Sequence, residues 1–83
     1  MNLRKNLKIT QQEVTQAFST GEWASKYPPL LTVDQAAELL RVPKATIYQW
    51  KSEGKLTGCV QRVGKHLRFF RDRLLLKVLN KGV

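Results

Sequence analysis

TVDQAAELLRVPKATIYQWKSEG, residues 32–54, decides how this chain folds. Thr32-Val33-Asp34-Gln35 has the form of a capping box, with Asp34 also suited to the positive end of a helix. Val33, Ala36, Ala37 and Leu40 then recur at i, i+3, i+4 and i+7, which predicts a helix with one apolar face ending near Arg41. Its paired alanines permit close approach by a neighbouring helix. Val42-Pro43 breaks the pattern, because proline fits the first turn of a new helix and not the interior of an old one. KATIYQWKSEG follows as a second helix, with Gly54 placed to end it. Ile47 and Trp50, three apart, turn inward, while Ala45, Tyr48, Gln49 and Ser52 turn away and Lys44 stands near the helix start. Two helices joined by two or three residues, the first small and apolar, form a helix-turn-helix.

Beyond Gly54 the hydrophobic period changes from helical to alternating. Val60-Gln61-Arg62-Val63 and His66-Leu67-Arg68-Phe69 flank Gly64-Lys65, a pair suited to a two-residue type II′ hairpin loop. That loop pairs Val63 with His66 and Arg62 with Leu67. One face then carries Val60, Arg62, Leu67 and Phe69 toward the core, and the other carries Gln61, Val63, His66 and Arg68. Leu74, Leu75, Val78 and Leu79 predict a closing helix with Asp72 near its start. Leu76 points partly off that stripe, toward the N-terminal segment or toward another protein.

Upstream, Thr10-Gln11-Gln12-Glu13 is a further capping box, and Val14, Ala17 and Phe18 predict a short helix ending near Gly21. Two turns do not hold themselves in water, so this helix must dock through Val14 and Phe18. EWASKYPP reads as a connector, and Pro28-Pro29 enforces an extended chain into the next segment. The expected organisation is an N-terminal extension with a short helix, 1–28, then a helix-turn-helix domain with its hairpin, 29–83. The fold class is mainly α with a small β-hairpin, a winged helix-turn-helix.

Eighty-three residues support one compact domain with a small core. Charge is unevenly distributed. Residues 1–40 hold four bases and four acids, whereas residues 41–83 hold eleven bases and two acids, so the second half carries the entire net +9. Such a density calls for a polyanionic partner, nucleic acid before an anionic membrane surface. Hydrophobic residues at 42% argue against a disordered basic tail. The single cysteine excludes an intrachain disulfide, and with the single histidine it cannot supply four Cys/His zinc ligands. No run approaches the ~18 apolar residues of a membrane span, and MNLRKNLKITQQ has no apolar signal core. The expected setting is cytoplasmic and nucleoid-associated.

Residues 30–79 resemble the excisionase-type winged helix-turn-helix family, a branch of the MerR-like group, through LTVDQAAELL, VPKATIYQW, SEGKL, RVGKHLRF and the final Leu-rich helix. The resemblance implies a recognition helix, 44–53, in the major groove and a wing, 60–69, at the adjacent minor groove or backbone. It implies a recombination directionality factor or a small transcriptional regulator, with a recombinase or integrase, or a second copy of the chain, as protein partner. Arg41 departs from the family at a position where glycine often ends the first helix, and Pro43 where a Ser cap is common. Residues 1–27 have no counterpart there.

The side chains fit those roles. Gln49 can bridge adenine N6 and N7, a match worth ~1–3 kcal/mol of discrimination. Lys44 can reach a base or a phosphate, and Ala45 admits a thymine methyl. Thr46 can bond a phosphate through its hydroxyl, Tyr48 either does the same or packs at the core edge, and Lys51 is among the cations expected on the backbone. Arg62, Lys65, His66 and Arg68 cluster at the wing, whose tip is thin enough for the ~6 Å minor groove. The competing reading of the wing is a charged edge that prevents strand aggregation. Cys59 is expected as a small buried hydrophobe.

Double-stranded DNA is thus the expected partner, with no cofactor, no metal, no membrane and no small-molecule substrate. An enzyme is not expected: the sequence offers no credible Ser/His/Asp set and no phosphate-cradling glycine loop. The alternative of a different class is a protein-interaction or RNA-binding adaptor on the same fold.

Overall fold

The computed structural model describes residues 8–82. Its elements are α1 (Gln11–Ala17), α2 (Gly21–Lys26), β1 (Leu30–Leu31), α3 (Val33–Leu40), α4 (Lys44–Ser52), β2 (Val60–Val63), β3 (His66–Phe70) and α5 (Arg71–Leu76), the last continued by a π-helical segment over Lys77–Lys81.

Both capping boxes form. The Thr32 hydroxyl accepts from the Gln35 amide at 3.1 Å while the Gln35 side chain accepts from the Thr32 amide at 2.9 Å. The Thr10 hydroxyl and Glu13 repeat the exchange at 3.1 and 3.2 Å. Each pair satisfies two amides that a helix start would otherwise leave without partners. The two helices of the helix-turn-helix then end alike. Arg41 takes the left-handed conformation (φ 57°, ψ 46°), its amide donates to the Glu38 carbonyl, and the Val42 amide donates to the Ala37 carbonyl. Gly54 (φ 76°) closes α4 in the same way, with Gly54 donating to Lys51 and Lys55 to Trp50. Each set is a Schellman motif. Glycine adopts that conformation freely, whereas Arg41 does so against the steric cost of its Cβ.

The hairpin register is the expected one, Val60 opposite Phe69, Gln61 opposite Arg68, Arg62 opposite Leu67 and Val63 opposite His66. Gly64 has φ 61° and Lys65 a negative φ, the combination of a type II′ and not a type I′ turn. A third strand was not expected. Leu30 and Leu31 pair antiparallel with Phe70 and Phe69, giving the sheet order β1-β3-β2. The extended backbone enforced by Pro28-Pro29 is what presents these two residues to the edge of β3. On the inner side, Leu31 and Phe69 join Ala36, Ile47, Leu56 and Leu74 in the fully buried centre. Ala36 and Ala37 let α3 sit closely against α4, as their size predicts, and Trp50 packs on the core side.

Two expectations are corrected. EWASKYPP is not a plain connector: α1 ends at Ala17 and residues 21–26 form a second short helix. The reason is tertiary, because Trp23 and Tyr27 form an aromatic cluster with Phe18, at centroid distances of 5.4 and 6.3 Å. Leu79 does not complete the core stripe of the closing helix. The π-helical segment rotates it outward, 59% exposed, to border an apolar groove with Trp23, Phe18 and Ile9. Leu76, half-buried, lies beside Thr57, Gly58 and Cys59 on the side away from that groove.

The N-terminal helices are tied to α5 by a buried arginine. Arg71, 6% exposed, donates to the Tyr27 carbonyl at 3.0 Å and to Asp72 at 2.7 Å, and its guanidinium lies 4.4 Å from the centre of the Phe18 ring. Gln11 reaches the other oxygen of Asp72 at 2.7 Å. In the π-helical segment that continues α5, the Asn80 side chain accepts from the Ile9 amide and donates to the Ile9 carbonyl, at 2.9 and 2.7 Å. Val14 and Phe18 are buried, as the docking of so short a helix requires. Among the described residues no helix is long and apolar enough to cross a membrane.

Candidate nucleic-acid interface

The wing curls beside the start of α3 and the exposed face of α4, leaving an open concavity of about 450 Å³. Its lining includes Tyr48 from α4, Arg62, Lys65, His66 and Arg68 from the wing, and Asp34 from α3. Five of the ten candidate residues are therefore brought to one opening. Tyr48 is 49% exposed, which settles the choice between surface and core-edge packing in favour of the surface. Arg62, Lys65 and His66 are exposed, and Arg68 is half-buried with its guanidinium donating to the Leu67 carbonyl at 2.8 Å. That bond restricts a long side chain in advance, which lowers the entropy lost on contact with a phosphate.

The other candidates lie along α4 outside the concavity. Ala45 and Gln49 are exposed one turn apart, Thr46 is half-buried, and Lys51 is half-buried in the last turn. The Gln49 amide nitrogen lies 3.4 Å from a carboxylate oxygen of Glu53, whose other oxygen is 3.2 Å from the Lys55 ammonium. Lys55, and after it Gln49, hold the Glu53 carboxyl below its usual range. Lys44 is exposed but engaged, its ammonium 3.0 Å from Asp34. The hydrogen bond and the charge of Asp34 both raise the pKa of Lys44, so it remains a full cation at neutral pH.

Two features of the charge distribution escaped the sequence reading. Asp34 reads locally as a helix-capping acid, and only the docking of α4 across α3 shows it facing Lys44 and the wing. Arg71 counts in the sequence as one more base of the positive half, yet it is spent inside the protein. Its neighbour Asp72 was the available signal, since a carboxylate next to an arginine in an apolar context suits a buried pair. Cys59 is buried as expected, and burial raises its thiol pKa against the opposing effect of Lys77 and Arg73.

A two-helix unit with a positively charged antiparallel wing at its side defines a winged helix-turn-helix protein. The chain belongs to the helix-turn-helix domain family of excisionase-like DNA-binding domains, whose family model matches residues 30–76, more than half of its length. The match spans β1, the two helices, the wing and α5, and it supports DNA as a partner of the chain. No curated protein and no solved structure gives a significant match to the chain.

Proposed function

We propose that this protein is a sequence-preferring double-stranded DNA-binding protein of the excisionase kind, a recombination directionality or architectural factor and not an enzyme. In this reading α4 enters the major groove, where Gln49 and Lys44 address base edges and Ala45 allows close approach. The wing lies at the adjacent minor groove or backbone, with Arg62, Lys65, His66 and Arg68 on phosphates and groove walls, and Thr46, Tyr48 and Lys51 fix the register. What supports the reading most is the concavity itself, where Tyr48 of the recognition helix and four basic side chains of the wing share one opening. A solvated surface has no need of such convergence. A recombinase or a second copy of the chain is the proposed protein partner, and the nucleoid the proposed place of action.

The test is selection of bound duplexes from a randomised pool at ~150 mM salt, where charge-driven binding is suppressed. The proposal predicts an enriched motif arranged as tandem direct copies. Inverted copies would instead identify a dimeric transcriptional regulator. Recovery of no motif, with structured RNA competing as well as duplex, would overturn sequence readout.

A further inference from the structure

The surface between helix and wing does not use all of the positive charge. Arg71 is consumed by Asp72, and Lys55 is paired with Glu53. Among the cations that remain, Arg73, Lys77 and Lys81 are spaced by four residues, and all three line a second concavity of about 440 Å³ formed with Thr57 and Gly58. It shares no residue with the first. Among the described residues none of these three cations lies within ion-pair distance of a carboxylate, and no carboxylate lines the concavity. Arg73 and Lys77 are instead held by neutral acceptors, the carbonyls of Gly58 at 3.2 Å and Thr57 at 3.3 Å. Arg73 is further fixed against Phe70, 4.8 Å from the ring centre. Three cations thus line one concavity without being neutralised, and two of them, Arg73 and Lys77, are restrained. Strand β3 runs from the wing tip at His66 to Phe70 before α5 begins, so this stripe starts roughly 13–17 Å from the tip.

We infer that Arg73, Lys77 and Lys81 form a second binding surface for a DNA phosphate backbone, separate from the helix-wing surface. The inference rests on DNA being the partner. The backbone comes either from the flank of the duplex already held by α4 and the wing, or from a second duplex brought alongside it. A cationic stripe reads no sequence and adds affinity by releasing counterions, as an architectural role requires.

The test compares wild type with R73Q/K77Q/K81Q on a duplex of ~12 bp, about one helical turn, and on one of ~30 bp. Loss of three phosphate contacts should flatten the plot of log K against log salt by about 2–3 on the long duplex, with the short duplex little changed. A second arm asks whether protein on an immobilised duplex captures a labelled second duplex. Capture that the triple variant abolishes assigns the stripe to bridging, and the long-duplex effect alone assigns it to the flank. The charge-preserving R73K/K77R/K81R must behave as wild type in both arms; if it fails as the glutamine variant does, the effect is structural and the inference falls. Equal salt slopes for wild type and glutamine variant on the long duplex, without second-duplex capture, overturn it while leaving the helix-wing reading intact. A wild-type protein that binds neither duplex overturns both.

Discussion

The Lys44 ammonium lies 3.0 Å from the Asp34 carboxylate, joining the first residue of α4 to the first turn of α3. In the proposed binding mode the pair places a negative charge on the DNA-facing surface and occupies a cation that would otherwise meet a phosphate or a base. Both side chains are well exposed, so the pair is weak as a stabilising contact. Its consequence is for recognition. On the proposed binding mode, Asp34 would penalise any placement of the backbone that does not offer Lys44 something better.

Asp34→Asn should therefore tighten binding to unrelated duplexes by roughly fivefold, on removal of one like charge beside the DNA. Binding to the preferred site should change less, so the ratio of specific to non-specific affinity falls. Titrations of both duplexes at one salt concentration measure this. Weaker non-specific binding by the variant would show that Asp34 supports the interface through Lys44 and does not screen it.

Arg71→Met should separate stability from DNA affinity. Removing the guanidinium leaves Asp72 and the Tyr27 carbonyl without their partner and takes a cation from the Phe18 ring. The expected cost is about 2–4 kcal/mol, read from the urea midpoint. Although a positive charge is lost, the salt dependence of DNA binding should stay that of wild type under conditions where the variant is folded. A flatter dependence would place Arg71 in the interface.

Arg41→Gly should stabilise the protein by about 0.5–1 kcal/mol, because glycine removes the Cβ strain of a left-handed residue while the Schellman hydrogen bonds remain. Chemical denaturation provides the measurement. A loss of stability would mean that the arginine side chain contributes more than its backbone costs.

Cys59 should resist alkylation. Burial removes access and raises the thiol pKa, so less thiolate is present at any pH below that value. Iodoacetamide labelling at pH 8 should follow global unfolding across a urea series. Labelling in native buffer at the rate of a free cysteine peptide would contradict the burial.

The helix-turn-helix and the wing were legible because their signals are local. Thr32 with Gln35, Gly54 and the Gly64-Lys65 loop each act within a few residues, and strand alternation fixes which face Phe69 buries. The missing pieces depend on contacts distant in sequence. Leu30-Leu31 is too short to show alternation and is a strand only because β3 lies beside it. α2 has no side-chain cap at Thr20 and is stabilised by the packing of Trp23 and Tyr27 with Phe18. The π-helical turn that exposes Leu79 has no signature in KVLNK. At the candidate interface, residue types were readable and their pairings were not: Lys44 and Gln49 were expected as base readers, but the acids beside them, Asp34 and Glu53, became visible only in three dimensions.

The central claim, that α4 and the wing form one DNA-binding surface, is tested most directly by the salt dependence of binding to a short duplex carrying the preferred site. About six neutralised phosphates predict a slope of log K against log salt near −5, and Arg62→Ala with Arg68→Ala should flatten it by about 2. A wild-type slope near zero, or one that the double substitution leaves unchanged, would contradict the account.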